Sequence, residues 1–255
     1  MNRIIKIILT DILKNKIVLA FTLILAVLSW SSFALEDNSS KGLLTILNVI
    51  LFTVPLVSIL FATIYLYNSS EFIELLLSQP IKRIKIWMSL FIGLSSSMVI
   101  AFLLGAGIPL LIYSPNAVGF MMISVGSIIS IVFVALAFLS SIVTRDKSKG
   151  IGIAIMIWLF FALLFDGLVL FLLFQLSDYP IEKAMVAITA LSPIDLARIQ
   201  ILLHLDVSAM MGYTGAIFKD FFGTTSGLFV SFFLLCLWAI IPFFISLRKF
   251  KNKDL

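Results

Sequence analysis

Apolar positions in this chain neither alternate nor scatter; they run in long uninterrupted stretches set apart by short basic or polar segments. Crossing the ~30 Å hydrocarbon layer takes roughly 20 apolar residues as helix, at ~1.5 Å of rise each. Stretches of about that length fall at 17–35, 43–67, 88–113, 117–143, 151–174 and 227–247. Continuous apolar runs predict helices rather than a barrel, whose strands would alternate. The expected fold is all-α and membrane-embedded: a six-helix transmembrane bundle forming a single domain over residues 1–255.

Three segments between the runs carry a pattern of their own. In residues 1–16, Ile5, Ile8, Leu9 and Ile12 share one helical face and Arg3, Lys6, Thr10 and Lys14 the other, the pattern of a helix lying in the interface plane. That predicts basic groups among anionic headgroups and isoleucines at the acyl boundary. In residues 68–87, Asn68, Ser69 and Ser70 offer helix caps, Glu71 falls in the first turn and Pro80 ends the run. Phe72, Leu75, Leu76 and Gln79 share one face, and Glu71, Glu74 and Ser78 another. Such a ridge either folds onto its own bundle or plugs into a groove on a partner. Residues 175–226 are too apolar for a solvated linker. Pro180 starts a stripe of Ile181, Ala184, Met185, Ile188 and Leu191, and Ser192-Pro193-Ile194-Asp195 reads as an N-cap, a proline at N1 and an acid at N3. Leu196, Ile199 and Leu203 line one side of the next helix. Two short helices that dip into or rest on the outer membrane surface are expected.

Composition closes off the soluble alternatives. The chain is 62% hydrophobic and 12% charged, against roughly 25% charged in a soluble domain. Charge then orients the spans. Arg3, Lys6, Lys14 and Lys16, Lys82, Arg83 and Lys85, Arg145, Lys147 and Lys149, and Arg248, Lys249, Lys251 and Lys253 all fall on one side; only Lys41, Lys183, Arg198 and Lys219 fall on the other. Positive residues stay inside, so both termini are expected in the cytoplasm. The net charge of +5 follows from that topology and implies no nucleic-acid partner. Ser32-Phe33-Ala34 has the small residues of a signal cleavage site, but the apolar run before it exceeds a signal core of about 7–15 residues, and an uncleaved anchor is expected.

Residues with chemistry are few. The sequence has no phosphate-binding GxxxxGK[ST] loop, no HExxH and no GxSxG. A single histidine, His204, excludes a triad or a facial-triad metal site built from this chain alone, and Cys236 has no second cysteine to pair with. No catalytic residue and no metal ligand are assigned. His204, Met210 and Met211 are of types that suit Cu(I), yet Met121 and Met122 form a similar pair with no such purpose, and ordinary packing accounts for both. Asp166, in Leu164-Phe165-Asp166-Gly167, is an acid within a span. Intramembrane acids cost about 2.5–3.5 kcal/mol to insert and mark function by default, so Asp166 is a candidate for a translocation path or a dimer interface. The alternatives are a protonated acid bonded to a neighbouring helix or one wetted at the outer boundary. Asp195 and Arg198, three residues apart, either brace their own helix or face an outer partner.

An interfacial helix, two spans, the segment Glu71-Phe72-Ile73-Glu74-Leu75-Leu76-Leu77-Ser78-Gln79-Pro80 followed by Lys82 and Arg83, four more spans and a helical outer loop before the last: this order resembles an ABC-2 type transporter permease along essentially the whole chain. The resemblance implies that residues 1–16 form the connecting helix. It implies that 68–87 carry a coupling helix seated in a groove of a separate cytoplasmic ABC ATPase, with Glu71, Phe72, Glu74, Leu75, Leu76, Gln79 and Pro80 as the contact. Residues 175–226 become a pair of re-entrant periplasmic helices. The permease is then a homodimer in the bacterial inner membrane, with ATP and Mg held by the ATPase and no cofactor in this chain. More narrowly, Leu191-Ser192-Pro193-Ile194-Asp195-Leu196-Ala197-Arg198 is similar to the outer-loop motif of Nos-type permeases, of the transporter that helps mature the copper centres of nitrous-oxide reductase in denitrification. That likeness implies handling of a copper or sulfur species and a copper-related periplasmic protein docked at Ser192, Pro193, Asp195 and Arg198. The alternatives are an ABC-2 exporter of another substrate and a mechanotransmitter that moves a periplasmic partner without passing solute. An intramembrane enzyme using Asp166 is opposed by the lack of a second acid, histidine or metal ligand within the spans.

Overall fold

The computed structural model describes residues 2–35, 39–175, 187–205 and 225–252. Among these residues every regular element is helical and there is no strand. In chain order they are α1 (Asn2–Leu13), α2 (Lys16–Leu35), α3 (Ser39–Asn68), α4 (Ser70–Leu77), α5 (Arg83–Tyr113), α6 (Ala117–Val143), α7 (147–175), α8 (Pro193–His204) and α9 (Thr225–Asn252). Six of them, α2, α3, α5, α6, α7 and α9, are long and apolar enough to cross a membrane.

Polar side chains set where the spans begin. Asn116 caps α6 by accepting from the Gly119 amide at 3.0 Å. Asp146 caps α7 by accepting from Ser148 and Lys149 at 2.8 and 3.3 Å. Each satisfies amides that lipid could not. α6 is the axis of the bundle: α3, α5, α7, α8 and α9 all pack on it, and Met122, Ile129, Phe133 and Phe138 are wholly buried. α2 and α7 lie outside, presenting Leu23, Ile24, Leu164 and Phe171 outward. In a chain this apolar those are surfaces for lipid, so exposure there carries no cost.

Two spans contain a single π-helical turn, Leu103–Gly107 in α5 and Phe160–Leu164 in α7. The first makes room for α2. A Cβ at Gly105 would fall 2.8 Å from Leu25 Cβ and 3.0 Å from the Thr22 carbonyl, so only glycine permits that approach. The second stands just before Asp166. Such a turn inserts one residue and re-aims the side chains beyond it.

The basic residues gather at one end. The α3 C-terminus, α4, the α5 N-terminus, the α6 C-terminus, the α7 N-terminus and the α9 C-terminus meet there; α8 lies at the far end beside the α9 N-terminal half. α1 packs its apolar face on the bundle. Ile8 and Ile12 are buried against α5, and a Cβ at Gly93 would sit 2.7 Å from Ile8 Cγ2. The isoleucine ridge therefore packs on the protein rather than on acyl chains. Lys6, Thr10 and Lys14 do point outward, together with Ile7.

Candidate functional site

At the basic end, α4 is a helix of two turns held by one face. Ile73 and Leu76 are buried beneath it, and Phe72 and Leu77 are half-buried. The other face is open: Glu71, Glu74, Leu75, Ser78, Gln79 and Pro80 are exposed, Leu75 by 66%. Of the residues that the sequence groups as an outward ridge, Leu76 thus belongs to the bundle. Glu71, Leu75 and Gln79, spaced by four, form the outward stripe, flanked by Glu74 and Ser78. The helix starts at Ser70 after Ser69, whose side chain makes no capping bond.

The joint under α4 is built from aromatic rings. The Trp87 indole stacks on Phe250 of α9 at 4.1 Å, meets Phe138 of α6 edge-on at 4.8 Å, and donates Nε1–H to Ser246 Oγ at 3.1 Å. Arg83 donates to the Lys251 carbonyl at 3.3 Å. On the other flank the Tyr67 hydroxyl donates to the Thr144 carbonyl at 3.0 Å, and Lys147 reaches Asn68 Oδ1 at 2.7 Å. Gly150 lies flat against that tyrosine; a Cβ there would fall 2.1 Å from its hydroxyl oxygen. A cavity of about 290 Å³ remains between these elements, lined by Ser70, Ile73, Glu74, Tyr67, Trp87 and Phe250 among others. The cavity thus borders α4, α3, α5, α6 and α9 together, and α4 itself packs on α3 and α5.

The far end is organised by ions. Asp166 does not stand alone: Arg198 of α8 donates NH1 to Asp166 Oδ2 at 2.7 Å and to Asp195 Oδ1 at 3.4 Å. The span from Lys147 to Asp166 covers roughly 28 Å of helix at ~1.5 Å per residue, which puts the acid at the far boundary rather than at the middle of the membrane. Asp195, from outside the spans, supplies the second acid that the spans themselves lack. One oxygen of Asp195, Oδ2, has neither solvent nor a hydrogen-bond partner. Burial first, and then the Asp166 carboxyl, push Asp195 up to about 7; Ser192 and Arg198 pull it down less strongly.

α8 itself is wedged into the bundle rather than resting on a surface. Ser192 caps it, accepting from the Asp195 amide at 3.2 Å, and Pro193, Ile194, Leu196, Ala197, Ile199 and Ile201 are buried against α3, α6, α9 and the π-turn of α7. Gln200, wholly buried, donates to Ser231 Oγ of α9, and the Trp238 indole donates to the Ala190 carbonyl at 3.1 Å. A second cavity of about 380 Å³ opens between α3, α7 and α8, with Asn48, Phe52, Ala162, Ile194 and Arg198 on its walls. His204 turns its ring Nδ1 to the Gln200 carbonyl at 3.2 Å. Met210 and Met211 lie outside the described residues, as do Pro180, Ile181, Ala184 and Met185 of the stripe; of its other two members Ile188 is half-buried and Leu191 exposed. Among the described residues no three His, Cys, Asp or Glu side chains gather as metal ligands.

The chain matches the ABC-2 family transporter protein family over residues 3–255. It is 29% identical over 214 residues to the probable ABC transporter permease protein NosY of Stutzerimonas stutzeri, covering 75% of this chain and 77% of that one. To the probable ABC transporter permease protein NosY of Pseudomonas aeruginosa it is 27% identical over 252 residues, covering 91% and 90%. Six helices long and apolar enough to cross a membrane and a family match along residues 3–255 lead to one conclusion: the chain belongs to the ABC-2 family of transporter permeases, membrane subunits that work with an ABC ATPase.

Proposed function

We propose that this permease works as a homodimer with two cytoplasmic ATPases, and that α4 is its coupling helix. The observation that carries this is the two-faced mounting of α4: Ile73 and Leu76 anchor it to the bundle while Glu71, Leu75 and Gln79 stand free. A helix held on one side and bare on the other suits the helix-in-groove mode. The basic residues around it, read by the positive-inside rule, support a cytoplasmic position for this end and both termini, with α8 periplasmic and re-entering the bundle. α1 acts as the connecting helix. ATP and Mg bind the ATPase; closure of the ATPases pushes α4, and the aromatic joint passes the push into the spans. Likeness to two NosY permeases supports a role in maturing the copper centres of nitrous-oxide reductase, with a periplasmic partner on the outer loop near Ser192, Pro193, Asp195 and Arg198. A mechanical reading, in which motion rather than solute reaches that partner, is favoured by the bonds that tie α8 to α9 through Gln200 and Ser231.

Purification of the tagged chain in mild detergent tests the assembly. An ATPase in equal amount with a copper-related periplasmic protein supports the Nos-type reading. An ATPase alone leaves the coupling role and removes the Nos assignment; neither partner from a folded preparation refutes both.

A further inference from the structure

We propose that Asp195 holds a bound proton in its contact with Asp166, and that this proton latches the outer helix α8 onto span α7. One guanidinium nitrogen serves two carboxyl groups from different elements, at 2.7 and 3.4 Å. With both acids ionised the cluster carries one uncompensated negative charge. Asp195 bears the cost of it. The residue is only 7% exposed, and its Oδ2 has neither solvent nor a donor. A buried carboxylate oxygen without a donor costs free energy that protonation removes. A protonated Asp195 can in turn donate to Asp166, which turns a like-charge repulsion into a hydrogen bond and leaves Arg198 to neutralise the single charge left.

Among the described residues the charged groups that shift Asp195 are Asp166 from α7 and Arg198 from its own helix; of the other helices packed on α8, α6 has no charged residue, and neither Lys41 of α3 nor the basic C-terminal end of α9 shifts it. The Ser192 hydroxyl favours the ionised form but is outweighed, and Asp195 is raised from 3.8 to about 7. The sign comes from linkage. An acid raised in the docked state favours docking when protonated, so docking is fully stabilised below about 4 and weakens as pH climbs towards 7. Above 7 it stays at its weakest, because the acid is then ionised in both states. Acid on the α8 side of the protein tightens the latch.

The test is hydrogen–deuterium exchange of α8 in the full chain, in nanodiscs with its ATPase, corrected for intrinsic exchange at each pH. Protection of α8 should fall by up to about tenfold per pH unit between roughly pH 5 and 7 and then level off. Asp195→Asn, neutral and still able to donate to Asp166, should keep α8 protected at every pH. Asp166→Asn should move the fall to lower pH. A pH-dependent fall that persists unchanged in Asp195→Asn overturns the proposal. Should that variant fail to fold, the infrared carbonyl stretch of a protonated aspartic acid in wild-type protein labelled at aspartate decides: present at pH 6 and lost by pH 8 supports a bound proton, and absent at pH 6 refutes it.

Discussion

The two ends of the bundle are held together by opposite chemistry. At the basic end the lysines and arginines are spread around the rim, where Arg83 and Lys147 bond neutral oxygens, and the centre of the joint is aromatic: stacked rings, an indole bonded to a serine, a tyrosine bonded to a carbonyl. At the far end the joint is ionic, with two acids on one arginine in a partly buried setting. Neutral aromatic packing changes little with pH or salt, as the proposed coupling role requires. A cluster with an odd charge responds to its surroundings, as the proposed latch requires. What separates the ends is therefore where charge is buried, not how much of it there is.

The difference between the ends breaks most visibly at Trp87. Trp87→Ala removes the ring between α5, α6 and α9 and should cost about 3–5 kcal/mol, read as a lower melting midpoint in mild detergent; Trp87→Phe should recover most of it. At the far end, Arg198→Ala leaves two acids facing each other. With its side chain 31% exposed, the expected loss is about 1–3 kcal/mol, below that of a fully buried pair. The pH dependence sharpens the contrast: the loss should shrink as pH falls from 7 towards 4, and Trp87→Ala should show no such trend. Gly150→Ala forces Tyr67 aside and should cost about 1–2 kcal/mol as overpacking, visible as faster exchange at the α6–α7 turn. Leu75→Ala should change stability by less than about 0.5 kcal/mol yet weaken the response of ATPase activity to the permease.

How much of each end is legible in the sequence obeys the same division. The spans are legible because a long apolar run is a local property, and 117–143 coincides with α6. Other helices extend past their apolar runs. α5 starts at Arg83 rather than Met88, and α7 at Lys147 rather than Ile151, because a helix keeps bonding its own backbone beyond the lipid boundary. The orientation of α4 is not legible: Leu75 and Leu76 are neighbours on one short apolar helix, and only packing against α3 and α5 decides which turns inward. The Asp166–Arg198 pair is not legible either. Its members are 32 positions apart across the outer loop, and the i, i+3 spacing of Asp195 and Arg198 shows only the weaker contact.

Proximity of α4 to the ATPase tests the coupling role most directly. Leu75→Cys and Ile73→Cys, each in a Cys236→Ser background, are treated with a short thiol-to-amine cross-linker in membranes containing the ATPase. A coupling helix mounted by its Ile73 face should give a permease–ATPase adduct from position 75, increased or shifted by ATP, and none from the buried position 73. Equal adducts from both positions, or none from position 75 with the complex intact, would contradict it.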